Sequence, residues 1–164
     1  MLNIELLQKF EDQAAMKQNR KPATVKITTF PKGLENISSM YERNNHEIIM
    51  NVDNMNQLND IELVATIFHE GRHAYQWLQI TNPDASKEPK ELIDKWEKEF
   101  LNYQQSQANH LDKKYLNLNI EIDAVAYASL NIFNITKLSL YIAPEMKEAV
   151  LKRQDEIKDR DDMF

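Results

Sequence analysis

The chain has 164 residues, 42% of them hydrophobic, enough for one domain with its own core, and 1–164 reads as a single domain. Its 20 basic and 26 acidic residues leave a net charge of −6, which opposes non-specific attraction to nucleic acid, so no nucleic-acid partner is expected. The lack of cysteine excludes disulfides and thiolate metal or redox sites, leaves His, Asp and Glu as the available metal ligands, and favours a reducing, cytoplasmic setting.

Leu2 or Leu6, Phe10 and Ala14 recur at helical spacing until Asn19-Arg20-Lys21-Pro22 ends the pattern, which predicts a first helix. These opening residues lack a basic stretch followed by an apolar run, so no export signal is expected. Residues 24–30 then alternate with period two and are rich in β-branched side chains, the pattern of a strand. Residues 37–43 and 46–52 read as two further strands, joined where Asn44-Asn45 tolerates the positive φ of a tight hairpin. The expected result is a small antiparallel sheet.

The period changes after residue 54. Asn59 with Glu62 three residues on is an N-cap signal, and Ile61, Val64, Ile67, Gly71, Ala74 and Leu78 mark one face of a helix reaching about Gln79. From Pro89 the residues Ile93, Trp96, Phe100 and Tyr103 predict another helix, with 104–114 as its frayed end and a connection. Helical character resumes from Leu116 to about Phe133. The most apolar region, 125–143, is interrupted by Asn131, Asn134 and Lys137, so no membrane span is expected. A last helix is predicted from Pro144, with Met146, Val150 and Ile157 on one side and its charged end, 158–162, as a solvated tail.

One constellation carries chemistry. Two of the four histidines lie in His69-Glu70-Gly71-Arg72-His73, an HExxH inside a predicted helix. Residues four apart stand one turn above each other, so both imidazoles can bind one ion, while Glu70, rotated by about 100°, lies beside it and can reach a coordinated water. Catalytic zinc takes three protein ligands and keeps a position for that water. Ala65, His69, His73 and Gln76 would line the cleft flank of this helix. Gly71 costs roughly 1 kcal/mol in mid-helix against alanine, which suggests that something packs closely on it.

The third ligand must come from elsewhere. Glu121, Asp123 and His110 are candidates; Glu121 is favoured because it sits in an otherwise apolar helix, where a metal would offset the cost of burying an acid. His110 lies among polar residues. Asp123, on another side of the helix, could orient a ligand histidine, and its alternative is a surface acid. His46 falls at the hairpin turn and has no assigned role.

His69-Glu-Gly-Arg-His73 followed by Glu121-x-Asp-Ala-x-x-Tyr-Ala128 resembles the minigluzincins, small zincin-like metallopeptidases with a glutamate third ligand, and is most similar to the ImmA/IrrE-type group. The likeness spans roughly residues 24–130 and includes the strands before the metal helix. It implies an α+β, zincin-like fold with a small antiparallel sheet packed on the HExxH helix and further C-terminal helices. It also implies that His69, His73 and Glu121 hold Zn²⁺ and that Glu70 is the general base for hydrolysis of a peptide or protein substrate. Val125 departs from the broader pattern, which has an acid four residues after the ligand. Tyr127, Tyr115 and Arg72 are candidates for stabilising the oxyanion, and the strand at 47–52 for pairing with an extended substrate. The competing reading is a catalytically inactive zincin scaffold that serves as a regulatory or interaction module.

Overall fold

A computed structural model describes residues 2–106 and 113–164, and the side chains of all of these except 103–106, 113 and 114. The fold is α+β. Helix α1 (Ile4–Lys17) is capped by Asn3, whose side chain accepts from the Leu6 N–H. Its buried residues are Leu7, Glu11, Ala14 and Ala15, so the inward stripe is turned from the predicted one and Leu6 is 39% exposed. Strands β1 (Thr24–Thr28), β2 (Ser39–Glu42) and β3 (Glu47–Asn51) follow, then a single helical turn α2 (Val52–Met55).

The sheet order is β1-β3-β2. The β2–β3 hairpin is antiparallel as expected, but β1 pairs with β3 in parallel, Val25 opposite Ile48 and Ile27 opposite Met50. The wholly antiparallel sheet expected above is therefore a mixed one. Burial accounts for this: Val25, Ile48 and Met50 all enter the cluster that includes Leu7, Leu63 and Ile67, which puts β3 in the middle. With β3 paired on both sides, its backbone has no free edge, so the strand at 47–52 cannot pair with an extended substrate as expected; β1 and β2 are the edges. At the hairpin the positive φ is taken by His46 instead of the asparagines, and the Glu42 carboxylate accepts the Asn44 and Asn45 N–H groups.

Helix α3 (Asp60–Thr81) begins with a full capping box between Asn59 and Glu62, as their spacing predicts. It is buried on more than one face because three apolar clusters use it. One joins it to α1 and the sheet. A second joins it, through Val64 and Phe68, to α6 (Asn119–Thr136) and α7 (Lys147–Ile157). The third packs Tyr75 with Trp96 and Phe100 of α4 (Lys90–Ser106) and Ile120 of α6. A 3-10 turn, Pro83–Ala85, precedes α4, and α5 (Lys113–Leu116) precedes α6, so the helical run predicted from Leu116 is interrupted before Asn119. Helix α7 starts at Lys147, three residues after Pro144, with Met146, Val150 and Ile157 buried. No described helix is long and apolar enough to cross a membrane.

The close packing expected at Gly71 is an ion pair. Arg20 makes a two-pronged bond to Glu11, at 2.6 and 2.9 Å, and a Cβ added to Gly71 would stand 2.6 Å from Glu11 Oε2 and 2.9 Å from Arg20 Nη2. Neither side chain is free to swing aside, because both are essentially buried and Glu11 also accepts the Ala23 N–H. Helix propensity alone would make Gly71→Ala stabilising by about 1 kcal/mol. We expect the reverse, a loss of about 1–3 kcal/mol from overpacking against a fixed ion pair. Urea denaturation measures it, and a raised midpoint would refute this account.

Candidate metal centre

Packing of α3 on α6 brings His69, His73 and Glu121 together, and among the described residues these three are the group able to hold a metal ion. His69 Nε2 and His73 Nε2 are 3.2 Å apart, and each is 3.2 Å from one of the two oxygens of Glu121. His73 and Glu121 are nearly buried, while His69 keeps 22% of its side chain in solvent at the mouth of a cleft. His110 lies outside the described residues.

The orientation of His73 is determined by its neighbours. Gln76 Nε2 donates to Ile120 O at 2.9 Å and to Asp123 Oδ2 at 2.8 Å, which directs Gln76 Oε1 toward His73 Nδ1, 2.9 Å away. An amide oxygen only accepts, so His73 carries its proton on Nδ1 and a neutral ring turns the Nε2 lone pair to the triad. Asp123 thus supports His73 through Gln76 instead of bonding it. Gln76, expected on the cleft flank, is fully buried in this role.

Electrostatics tie the three groups together. Burial by itself would lower the His73 pKa, but the charge of Glu121, its hydrogen bond and the charge of Glu70 outweigh it and lift the value to about 9. Burial would raise the Glu121 pKa, and the two imidazoles reverse this and hold it below the usual carboxylate range. A buried carboxylate in its ionised form between two rings is a donor set suited to a divalent cation.

Glu70 faces the same cleft, a cavity of about 890 Å³ whose walls include Ala65, Thr66, Val125, Tyr115 and Tyr141. Its Oε1 accepts a 2.6 Å hydrogen bond from Ser39 Oγ at the start of β2. Nothing in the sequence marked Ser39; its role depends on β2 being an edge strand laid along α3. His46 is held in the hairpin by Tyr41 and the Lys21 carbonyl, consistent with no part in the site.

Two of the oxyanion candidates are withdrawn. Tyr127 is fully buried and its hydroxyl donates to the Asp162 carbonyl. Arg72 is likewise buried, bonded through Nε and Nη2 to Asp123 and through Nη1 to Asp162, with its guanidinium 4.0 Å from the Tyr75 ring centroid. Tyr115 remains in the cleft wall, joined there by Tyr141.

The same network corrects the solvated-tail reading of residues 158–162 at Arg160 and Asp162, while Lys158, Asp159 and Asp161 are exposed as expected. Asp162 is 5% exposed and pairs with Arg72, and Arg160 pairs with the buried Glu88, which also binds Arg153 and the Tyr75 hydroxyl. Asp123 is therefore not a surface acid either: Arg72 and Arg153 both bind it. Removing the central cation would leave the buried Asp162 without its ion-pair partner and Asp123 with Arg153 as its remaining cation, a loss of about 3–5 kcal/mol. Arg72→Met is accordingly expected to lower the unfolding free energy by that amount, read from its denaturant midpoint. A variant as stable as wild type would show that the network contributes nothing.

No family model matches the chain, and neither a curated protein nor a solved structure is significantly similar to it.

Proposed function

We propose that the chain is a zinc-dependent peptidase of the zincin type, resembling the ImmA/IrrE-type minigluzincins, in which His69, His73 and Glu121 hold Zn²⁺ and Glu70 is the general base. The observation that carries this reading is the convergence of two imidazole nitrogens and one carboxylate. The two Nε2 atoms are 3.2 Å apart, each is 3.2 Å from a different oxygen of Glu121, and one ligand atom from each of the three residues lies within 4.8 Å of the others, within reach of a single ion. With Nδ1 of His73 engaged by Gln76, its Nε2 faces His69 and Glu121, where a cation would take the place of the proton that the neighbouring carboxylates favour on this ring.

When bound, the ion would supply Lewis acidity, lowering the pKa of a coordinated water to about 7. Glu70 would be the general base, taking up the proton released by the attacking water and returning it to the amine that leaves as the C–N bond breaks. Ser39 holds the Glu70 carboxylate in the cleft for this exchange. The substrate backbone pairs along the free edge of β2, at whose start Ser39 sits.

The test joins elemental analysis of protein purified without added metal to cleavage assays of wild type and Glu70→Gln. A hydrogen bond to a charged group is worth about 1.5 kcal/mol, so Ser39→Ala is expected to lower kcat about tenfold with zinc content and KM unchanged. Ser39→Thr keeps the hydroxyl and should recover most of the rate. Wild-type turnover in Ser39→Ala would remove Ser39 from the mechanism. The withdrawal of Tyr127 and Arg72 as oxyanion donors favours the second reading, an inactive scaffold that binds metal without turnover. Retained zinc with no cleavage by wild type would select it.

A further inference from the structure

The cleft does not end at the metal ligands. It adjoins a second cavity of about 720 Å³, and the two share Ser129, Leu140 and Tyr141. This cavity is formed by α6, α7 and the connection between them, and Leu130, Phe133, Ile142 and Leu151 make its walls largely apolar. Lys147 is the one charged residue among the described residues lining it. Several of these side chains remain in solvent: Phe133 is 45%, Leu151 46% and Tyr141 85% exposed. Large apolar side chains gathered on one face at that exposure mark a surface meant to be covered.

We propose that this second cavity is the specificity subsite of the cleft. It takes large apolar side chains, of the leucine, phenylalanine or methionine class, from an extended peptide whose scissile bond lies at the His69–His73–Glu121 triad. The inference rests on the peptidase reading and supplies its substrate class. Continuity of the wall identifies the occupant. Leu140 and Tyr141 belong to both cavities, so a chain lying against them in one is already in contact with the other. An extended backbone advances about 3.3 Å per residue, so a few residues span both. The volume exceeds that of one side chain, and the subsite therefore accommodates more than one apolar residue.

The experiment uses Glu70→Gln protein, which should hold a peptide without cutting it. Fluorescein-labelled decapeptides of a Gly-Ala background carry one Leu, Phe, Ser or Asp at successive positions, and binding is read by fluorescence anisotropy beside zinc content. Leu and Phe peptides are expected to bind about tenfold more tightly than their Ser and Asp counterparts. Adding Phe133→Glu and Leu151→Glu should abolish that difference with zinc content and melting temperature unchanged, and Leu151→Lys alone should reduce it. Equal binding of all four series, a preference that survives the variants, or no binding at all would overturn the proposal. So would a dimer that dissociates in the variants, because the face would then belong to a second copy of the chain. Zinc content separates the two claims. An apolar preference in a zinc-free protein upholds the subsite and sinks the peptidase, and zinc without a preference does the reverse.

Discussion

Glu121→Ala is expected to remove the metal. Protein purified without added metal should carry about one zinc per chain, and the variant less than about a tenth of that, because a catalytic zinc site has three protein ligands and two imidazoles alone leave it half coordinated. The variant also removes the acid that offsets the burial of His73, so two effects need separating. Chelation does this. A metal that binds only the folded chain stabilises it by about 4 kcal/mol when free ion is a thousandfold above Kd, so a chelator should lower the wild-type melting temperature and leave that of Glu121→Ala unmoved. Iron or manganese in place of zinc would revise the metal and keep the triad. A full metal complement in Glu121→Ala, or a wild type with no metal and no response to chelator, would dissolve the centre.

Glu70→Gln should act in the opposite way, preserving the metal and abolishing turnover. Glutamine matches glutamate in shape and its amide oxygen can still accept from Ser39, so the cleft geometry is kept. What it cannot do is take up a proton. Positioned general bases contribute about 10²–10⁴-fold, and hydrolysis is expected to fall by that factor at unchanged zinc content. Comparing the proteomes of cells that express wild type or Glu70→Gln should reveal new protein termini produced by wild type alone. Termini produced equally by both would show that another group is the base.

Much of the candidate site was readable before folding because it rests on local geometry. The i,i+4 spacing of His69 and His73 specifies a shared helical face without reference to any other residue. Glu121 stood out as one of two acids, with Asp123, in an otherwise apolar helix, and it is 3% exposed. The Asn59–Glu62 capping box and the buried positions Ile93, Trp96 and Phe100 follow from the same short-range rules. Ser39 carried no such mark, and helical spacing put Gln76 on the His69–His73 flank without revealing its part. A serine beginning a short strand and a glutamine in mid-helix are chemically ordinary, and each matters only for the atom that another element sets beside it.

The helical period, the motif and the missing thiols were properties of neighbouring residues and of composition, so residue order was enough to put both imidazoles on one face of α3 and to restrict the side chains that could join them. Folding decided which strand lay in the middle, because β1 pairs in parallel with β3 where both bury apolar side chains in the cluster shared with α1 and α3. It also decided the fate of the charged segment at 158–162, whose Asp162 lies 90 positions from Arg72 in the chain and 3.0 Å from it in space. Whether a charge is solvated or buried depends on the counter-charge that whole packed helices deliver to it, and no local pattern encodes that meeting.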